Sequence, residues 1–186
     1  GGTQSTDFSI ANSLRFNDND NSYMYFDNGS GGSNTAGTLS FWIKRSSGQD
    51  TGDYLDTNYM FFARSDNSNV FNCYFSADTT RRLEIRSTQG GSMDFQYKTN
   101  MTFSDTAAWY HIVIAIDTTD GTAADRCKLF VNGTRITSFN SQTNFDQNDT
   151  IEWFQSDARQ WWSGEWEDGT GPSRPMENYL AEVYML

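Results

Sequence analysis

The 186-residue chain predicts an all-β fold: two antiparallel sheets packed face to face as a sandwich. Three observations carry that prediction. Residues 108–117, AWYHIVIAID, read as a strand that is apolar on both faces from Ile112 to Ile116, as expected of a strand covered on each side. A second strand, Lys128-Leu129-Phe130-Val131, ends on Asn132-Gly133. Both residues tolerate positive φ, so a hairpin and a return strand at Thr134-Arg135-Ile136 should follow. Aromatic residues make up 16% of the chain and alternate with Gly-, Asn- and Asp-rich turns, while proline occurs only at Pro172 and Pro175. No segment sustains a 3.6-residue apolar period between caps, so almost no helix is expected.

The elements follow in order. Ser13-Leu14-Arg15-Phe16-Asn17 alternates as a short strand, and Asn17-Asp18-Asn19-Asp20-Asn21 is a turn before the strand Tyr23-Met24-Tyr25-Phe26. Residues 38–45 place Leu39, Phe41 and Ile43 on one face and Trp42 on the other. Residues 59–64 and 70–75 form a hairpin across Asp66-Asn67-Ser68-Asn69. Residues 83–86 and 94–98 alternate cleanly, residues 151–154 are a short strand candidate, and residues 179–186 close the chain. Segments 46–58 and 157–178 read as long loops, the kind that often carries function. No repeat or linker divides the chain, so residues 1–186 are expected to form a single domain. Trp42, Trp109, Ile112, Val113, Ala115, Leu129 and Val131 are expected inside, and the closing strand is expected to pair near residues 13–17.

Charge narrows the function classes. The net charge of −11 repels a phosphate backbone and an anionic membrane surface, so neither nucleic acid nor membrane is an expected partner. No apolar run approaches the roughly 20 residues of a membrane span. Cys73 and Cys127 each fall in a strand and allow either one disulfide or two buried thiols. The single histidine, His111, cannot build a zinc site and has no Ser or Cys partner at a suggestive spacing, so it reads as structural. No organic cofactor is expected. Asp18 and Asp20, in the Asx-rich turn, offer hard oxygen ligands that would suit Ca²⁺, although such turns also form because Asn and Asp bond their own backbone.

Four tryptophans stand out as candidate contacts. Trp161, Trp162 and Trp166 crowd one Gly-containing loop, with Trp153 just before it. Such rings can stack on sugars, fill a subunit interface or simply pack a core, and all three roles remain open from sequence. The acidic run Glu165-Trp166-Glu167-Asp168 reads as a solvated loop. Asn28, Asn100, Asn132 and Asn148 head sequons that matter only in a secretory pathway.

Taken together, residues 108–117, the VNG turn at 131–133, the opening SLRFN, the strand TLSFWIKR at 38–45 and the closing YLAEVY at 179–184 resemble the laminin-G-like, concanavalin A-like jelly-roll domains found in virion and tail proteins of marine bacteriophages. The resemblance implies a jelly-roll sandwich. It implies a non-enzymatic virion or fibre surface module that docks on other virion or fibre subunits, oligomerises and is located in the virion. The alternative is a carbohydrate-binding adhesin, at a cell surface, that meets a surface glycan through the Trp-rich loop. Glycosidases of this superfamily carry a Glu-x-Asp-x-(x)-Glu strand whose carboxylates share one face, and this sequence has no such strand. Relatives usually run on past the closing strand, so a chain that stops at Leu186 is expected to be a fragment or processed product.

Overall fold

A computed structural model describes residues 10–17, 22–27, 32–46, 58–76, 80–154, 159–163, 165–167, 171–173 and 176–186. Among these the chain forms fifteen strands: β1 (Leu14–Phe16), β2 (Met24–Asp27), β3 (Ala36–Arg45), β4 (Asn58–Arg64), β5 (Val70–Phe75), β6 (Arg82–Gln89), β7 (Ser92–Thr102), β8 (Tyr110–Asp117), β9 (Cys127–Val131), β10 (Thr134–Ile136), β11 (Phe139–Thr143), β12 (Arg159–Trp162), β13 (Glu165–Glu167), β14 (Gly171–Ser173) and β15 (Asn178–Met185). They build a six-stranded sheet, β1-β15-β3-β8-β9-β10, a seven-stranded sheet, β11-β7-β6-β5-β4-β12-β2, and the separate hairpin β13-β14. All pairings are antiparallel. Helical geometry among the described residues is confined to two 3₁₀ turns, at Ala123–Asp125 and Glu152–Phe154.

Alternation builds the core. Along β3, Leu39, Phe41 and Ile43 point inward and are fully enclosed, and their register partners on β8 include Ile112 and Ile114. From the other sheet Phe61, Phe71, Phe75, Ile85 and Phe95 meet them in one cluster. Each such side chain taken from water contributes about 2 kcal/mol. Trp162 ties the sheets together, with its ring 5.2 Å from Phe41 of β3 and 4.8 Å from Phe61 of β4. Cys73 and Cys127 are free, buried thiols in opposite sheets. The β9–β10 turn forms at Asn132 (φ 49°) and Gly133 (φ 76°), the left-handed pair expected of Asn-Gly. The Asn132 carboxamide oxygen also accepts from the His111 backbone N–H at 2.8 Å, which ties the turn to β8. β1 pairs with the closing strand, Leu14 opposite Leu180, as the sequence leads one to expect.

Several expectations are corrected. Ile112, Leu129 and Val131 are buried, but Trp42, Trp109, Val113 and Ala115 are only half-buried, on the outer face of the six-stranded sheet. An apolar residue there needs no second layer, because its cross-strand neighbours shield it: Val113 stands opposite Ser40 and Phe130. Residues 152–154 form a 3₁₀ turn, not a strand, and the expected loop at 157–178 contains β12, β13 and β14. β11 had no clear signal, because FNSQT carries one apolar residue in five.

Candidate functional site

Trp153, Trp161 and Trp162 do not form an open loop. Trp153 is enclosed against Phe71 and Phe61, and Trp162 lies in the core. Trp161, its neighbour on β12, points the opposite way, to the outer face of the seven-stranded sheet. There it joins Tyr59, Phe62 and Tyr74 in a second, smaller cluster and is only 1% exposed. A two-residue period across a paired strand forces this split. Trp166 lies on β13 opposite Pro172, so its backbone belongs to a hairpin, and its side chain falls outside the described set. Asp18 and Asp20 lie outside the described residues. Among the described residues no group of three or more His, Cys, Asp or Glu is placed to hold a metal.

What the fold does assemble is a mixed polar and aromatic surface on the outer face of the seven-stranded sheet. Register places Tyr25, Trp161, Phe62, Asn72, Arg86 and Gln96 in one row across β2, β12, β4, β5, β6 and β7. Tyr59, Tyr74, Glu84, Lys98 and Ser141 form the adjacent row. The side chains are cross-linked. Gln96 Nε2 donates to Glu84 Oε1 at 2.6 Å, Ser141 Oγ donates to Gln96 Oε1 at 2.9 Å, and Arg86 Nη1 donates to the Tyr74 hydroxyl at 3.3 Å. Lys98 Nζ stands 3.6 Å and Arg86 Nε 3.8 Å from the Glu84 carboxylate.

Burial shapes the electrostatics of this surface. It pushes the Tyr74 phenol well above its ordinary range, against the pull of the Arg86 hydrogen bond, so Tyr74 stays a neutral hydroxyl. For Arg86 burial works downward, but the Tyr74 hydrogen bond and the Glu84 charge work upward and the guanidinium is raised. Nearby, burial raises Asp94, whose carboxylate accepts from Ser87 Oγ at 3.4 Å. Among the described residues the enclosed Asn72 Oδ1, Arg86 Nε and Asp94 Oδ1 atoms make no hydrogen bond. Each such atom costs about 1–3 kcal/mol when nothing, water included, satisfies it, and Arg86 Nε faces the Glu84 carboxylate at 3.8 Å.

The other sheet offers less. His111 stacks on Trp42 with ring centroids 4.9 Å apart, and its Nε2 lies 3.0 Å from the Ser40 hydroxyl. This Ser partner is not visible from sequence spacing, because the two positions lie 71 apart and only the β3–β8 register joins them. Burial lowers the His111 pKa and the Glu182 charge opposes that. No third side chain among the described residues is seen to hydrogen-bond the ring and orient it, so the pair lacks the third member of a nucleophilic triad.

The open edge of the sandwich is apolar. A groove of about 240 Å³ lies between β1, β15 and β2, lined by Leu14, Met24, Leu180, Ala181 and Val183 with Asn12, Ser13 and Glu182. Leu14 on its wall is exposed, as are Tyr23, Tyr25 and Phe26 at the β2 edge and Tyr184 and Leu186 toward the end of β15.

Two packed antiparallel sheets agree with the comparison to known families, where a laminin-G-type model, described as the concanavalin A-like lectin/glucanases superfamily, matches residues 17–170. The chain belongs to that superfamily. No curated protein matches it. Solved structures similar to it include the LG1–3 region of the laminin α2 chain, with TM-score 0.63 at 9% identity over 93% of this chain and 30% of that one. The heptameric SAP-like pentraxin of Limulus polyphemus gives 0.55 at 17% identity over 99% and 72%. Domain 4 of an extracellular arabinanase from Geobacillus stearothermophilus, solved with arabinotriose, gives 0.55 at 15% identity over 83% and 61%. The chain therefore spans less than two thirds of the laminin and arabinanase chains, and at these identities the likeness concerns the fold.

Proposed function

We propose that the protein is a non-catalytic carbohydrate-binding module and that the outer face of its seven-stranded sheet is the binding surface. The observation that carries this reading is the half-buried strip Asn72–Arg86–Gln96, beside Glu84, Lys98 and Ser141, with the enclosed rings of Phe62 and Tyr74 supporting it and the exposed ring of Tyr25 farther along the same row. Sugar hydroxyls require donors and acceptors fixed in a plane, and pyranose C–H faces require aromatic carbon beside them. Side chains that hold one another by charge-assisted bonds are preorganised for that task. Glu84 is poorly suited to acid–base catalysis, since its carboxylate already accepts from Gln96 beside Lys98 and Arg86. In a screen of neutral oligosaccharides against the whole chain, Asn72→Ala and Gln96→Ala should each weaken the best ligand about tenfold, whereas Trp42→Ala should not. Loss of binding on Trp42→Ala alone would move the site to the other sheet.

The open edge supports a second role, contact with neighbouring subunits of a fibre or virion. Leu14 on the groove wall, Phe26 on the edge strand β2 and Tyr184 near the end of β15 are exposed, and apolar surface of this kind at a sheet edge is often covered by a partner. Sedimentation of the wild type and of a Tyr184→Ser, Leu186→Ser variant tests it. A concentration-dependent dimer or higher oligomer that the variant loses is the expected result, and a strict monomer at high concentration contradicts it.

A further inference from the structure

At its β2 end the same face holds a charge arrangement that strand pairing disfavours. Arg159 of β12 stands directly opposite Arg64 of β4, two positions from Trp161 opposite Phe62. Like charges placed opposite each other on neighbouring strands destabilise the pair. The chain carries 24 acidic residues against 13 Lys and Arg, yet register sets two arginines opposite each other here. Asp27 is the register partner of Arg159 on the far side, so the row holds one acidic and two basic positions. Arg64 is held by its surroundings: its guanidinium carbon is 6.0 Å from the centroid of the Trp161 ring, and Nη1 donates to Asn67 Oδ1 at 2.9 Å. Arg159 is exposed. Beside them, opposite Trp161 on β2, Tyr25 is 47% exposed, with its ring 5.7 Å from Trp161. Two planar cationic forks and one open aromatic ring thus share a corner of the surface.

From this juxtaposition of Arg64, Arg159 and Tyr25 we infer that the corner is a subsite for a uronic acid residue, an assignment that rests on the glycan-binding reading. The sugar carboxylate is shared between the two guanidinium groups, and the pyranose ring lies against Tyr25. Guanidinium forks match a carboxylate in geometry as well as charge. The net charge of −11 does not prevent this, because at physiological salt charges further than about 8 Å away are largely screened and the adjacent pair sets the local field.

The test is calorimetric titration of the whole chain with a galacturonate trisaccharide and with the neutral galactose trisaccharide, at low and high salt. The acidic sugar should bind about tenfold more tightly, and that advantage should shrink as salt rises. Arg159→Gln and Arg64→Gln should each bring the acidic ligand down to the neutral one, with the thermal midpoint confirming that the variants fold. Tyr25→Ala should weaken both ligands. Equal binding of the two sugars overturns the uronate subsite while leaving the glycan reading standing, and binding of neither overturns both. A preference that survives both arginine substitutions places the anion elsewhere and overturns the assignment. Tighter binding of a sulfated neutral trisaccharide than of the uronate overturns the choice of carboxylate.

Discussion

On the outer face of the seven-stranded sheet Glu84 is 6% exposed and bound to its neighbours on β6 and β7, while on the outer face of the six-stranded sheet Trp42 and His111 stack half-open, with the Ser40 hydroxyl at the His111 ring. The first face buries charge and leaves polar atoms without partners. The second covers apolar rings with one another and leaves little unsatisfied. A surface that only has to be soluble follows the second pattern, and the first is costly unless something is recognised there. The difference separates recognition from packing within one sandwich, although both faces follow the same two-residue period.

Substitutions can break the comparison in order of size. Trp162→Ala removes the ring that joins the sheets and should cost about 4 kcal/mol in urea unfolding. A loss below that of Trp42→Ala, expected near 1 kcal/mol for a half-buried stacked ring, would mean that the two faces are not layered as described. Glu84→Gln leaves Lys98 and Arg86 without their carboxylate. With those cations partly open to solvent, a cost of about 2 kcal/mol is expected, and an unchanged midpoint would show that the network is not formed.

Alkaline titration probes the interior. Burial raises the Cys73 and Cys127 thiols and pushes Tyr97 up to about 12, so the folded chain keeps protons that the unfolded chain releases. Stability should be complete below the ordinary thiol pKa of about 8.5, fall as pH rises through it, and fall again through the tyrosine range near 10. A Cys73→Ala, Cys127→Ala variant should lose the first step and keep the second. The smallest effect belongs to His111. Its pKa is lowered by burial, so the unfolded chain takes up the proton first, and the stability it contributes is present above about 6.5 and lost as pH falls below. His111→Phe should flatten that acidic slope, and a slope that persists would assign it to the carboxylates.

Much of the fold was legible because alternation and turn chemistry are local. The β8 strand, the Asn132-Gly133 turn and the β4–β5 hairpin needed only neighbouring residues. Which face an apolar strand turns outward was not legible. Val113 and Ala115 are as apolar as Ile112, and only the position of the second sheet distinguishes them. The site was hidden for a similar reason. Asn72, Arg86 and Gln96 are unremarkable in sequence, and two cross-strand registers align them. The tryptophans drew attention by their density, but a strand must send Trp161 and Trp162 to opposite faces.

Side-chain amide NMR offers the most direct check on where ligand meets protein, because the Asn72 and Gln96 NH₂ groups and the Trp42 and Trp109 indoles report on opposite faces of the same molecule. With an oligosaccharide that binds in the screen, the Asn72 and Gln96 signals and the Arg86 Nε–H should shift in a saturable, concentration-dependent way while both indoles stay fixed. Saturable shifts at the Trp42 or Trp109 indole with the amides unmoved would contradict recognition by the seven-stranded sheet.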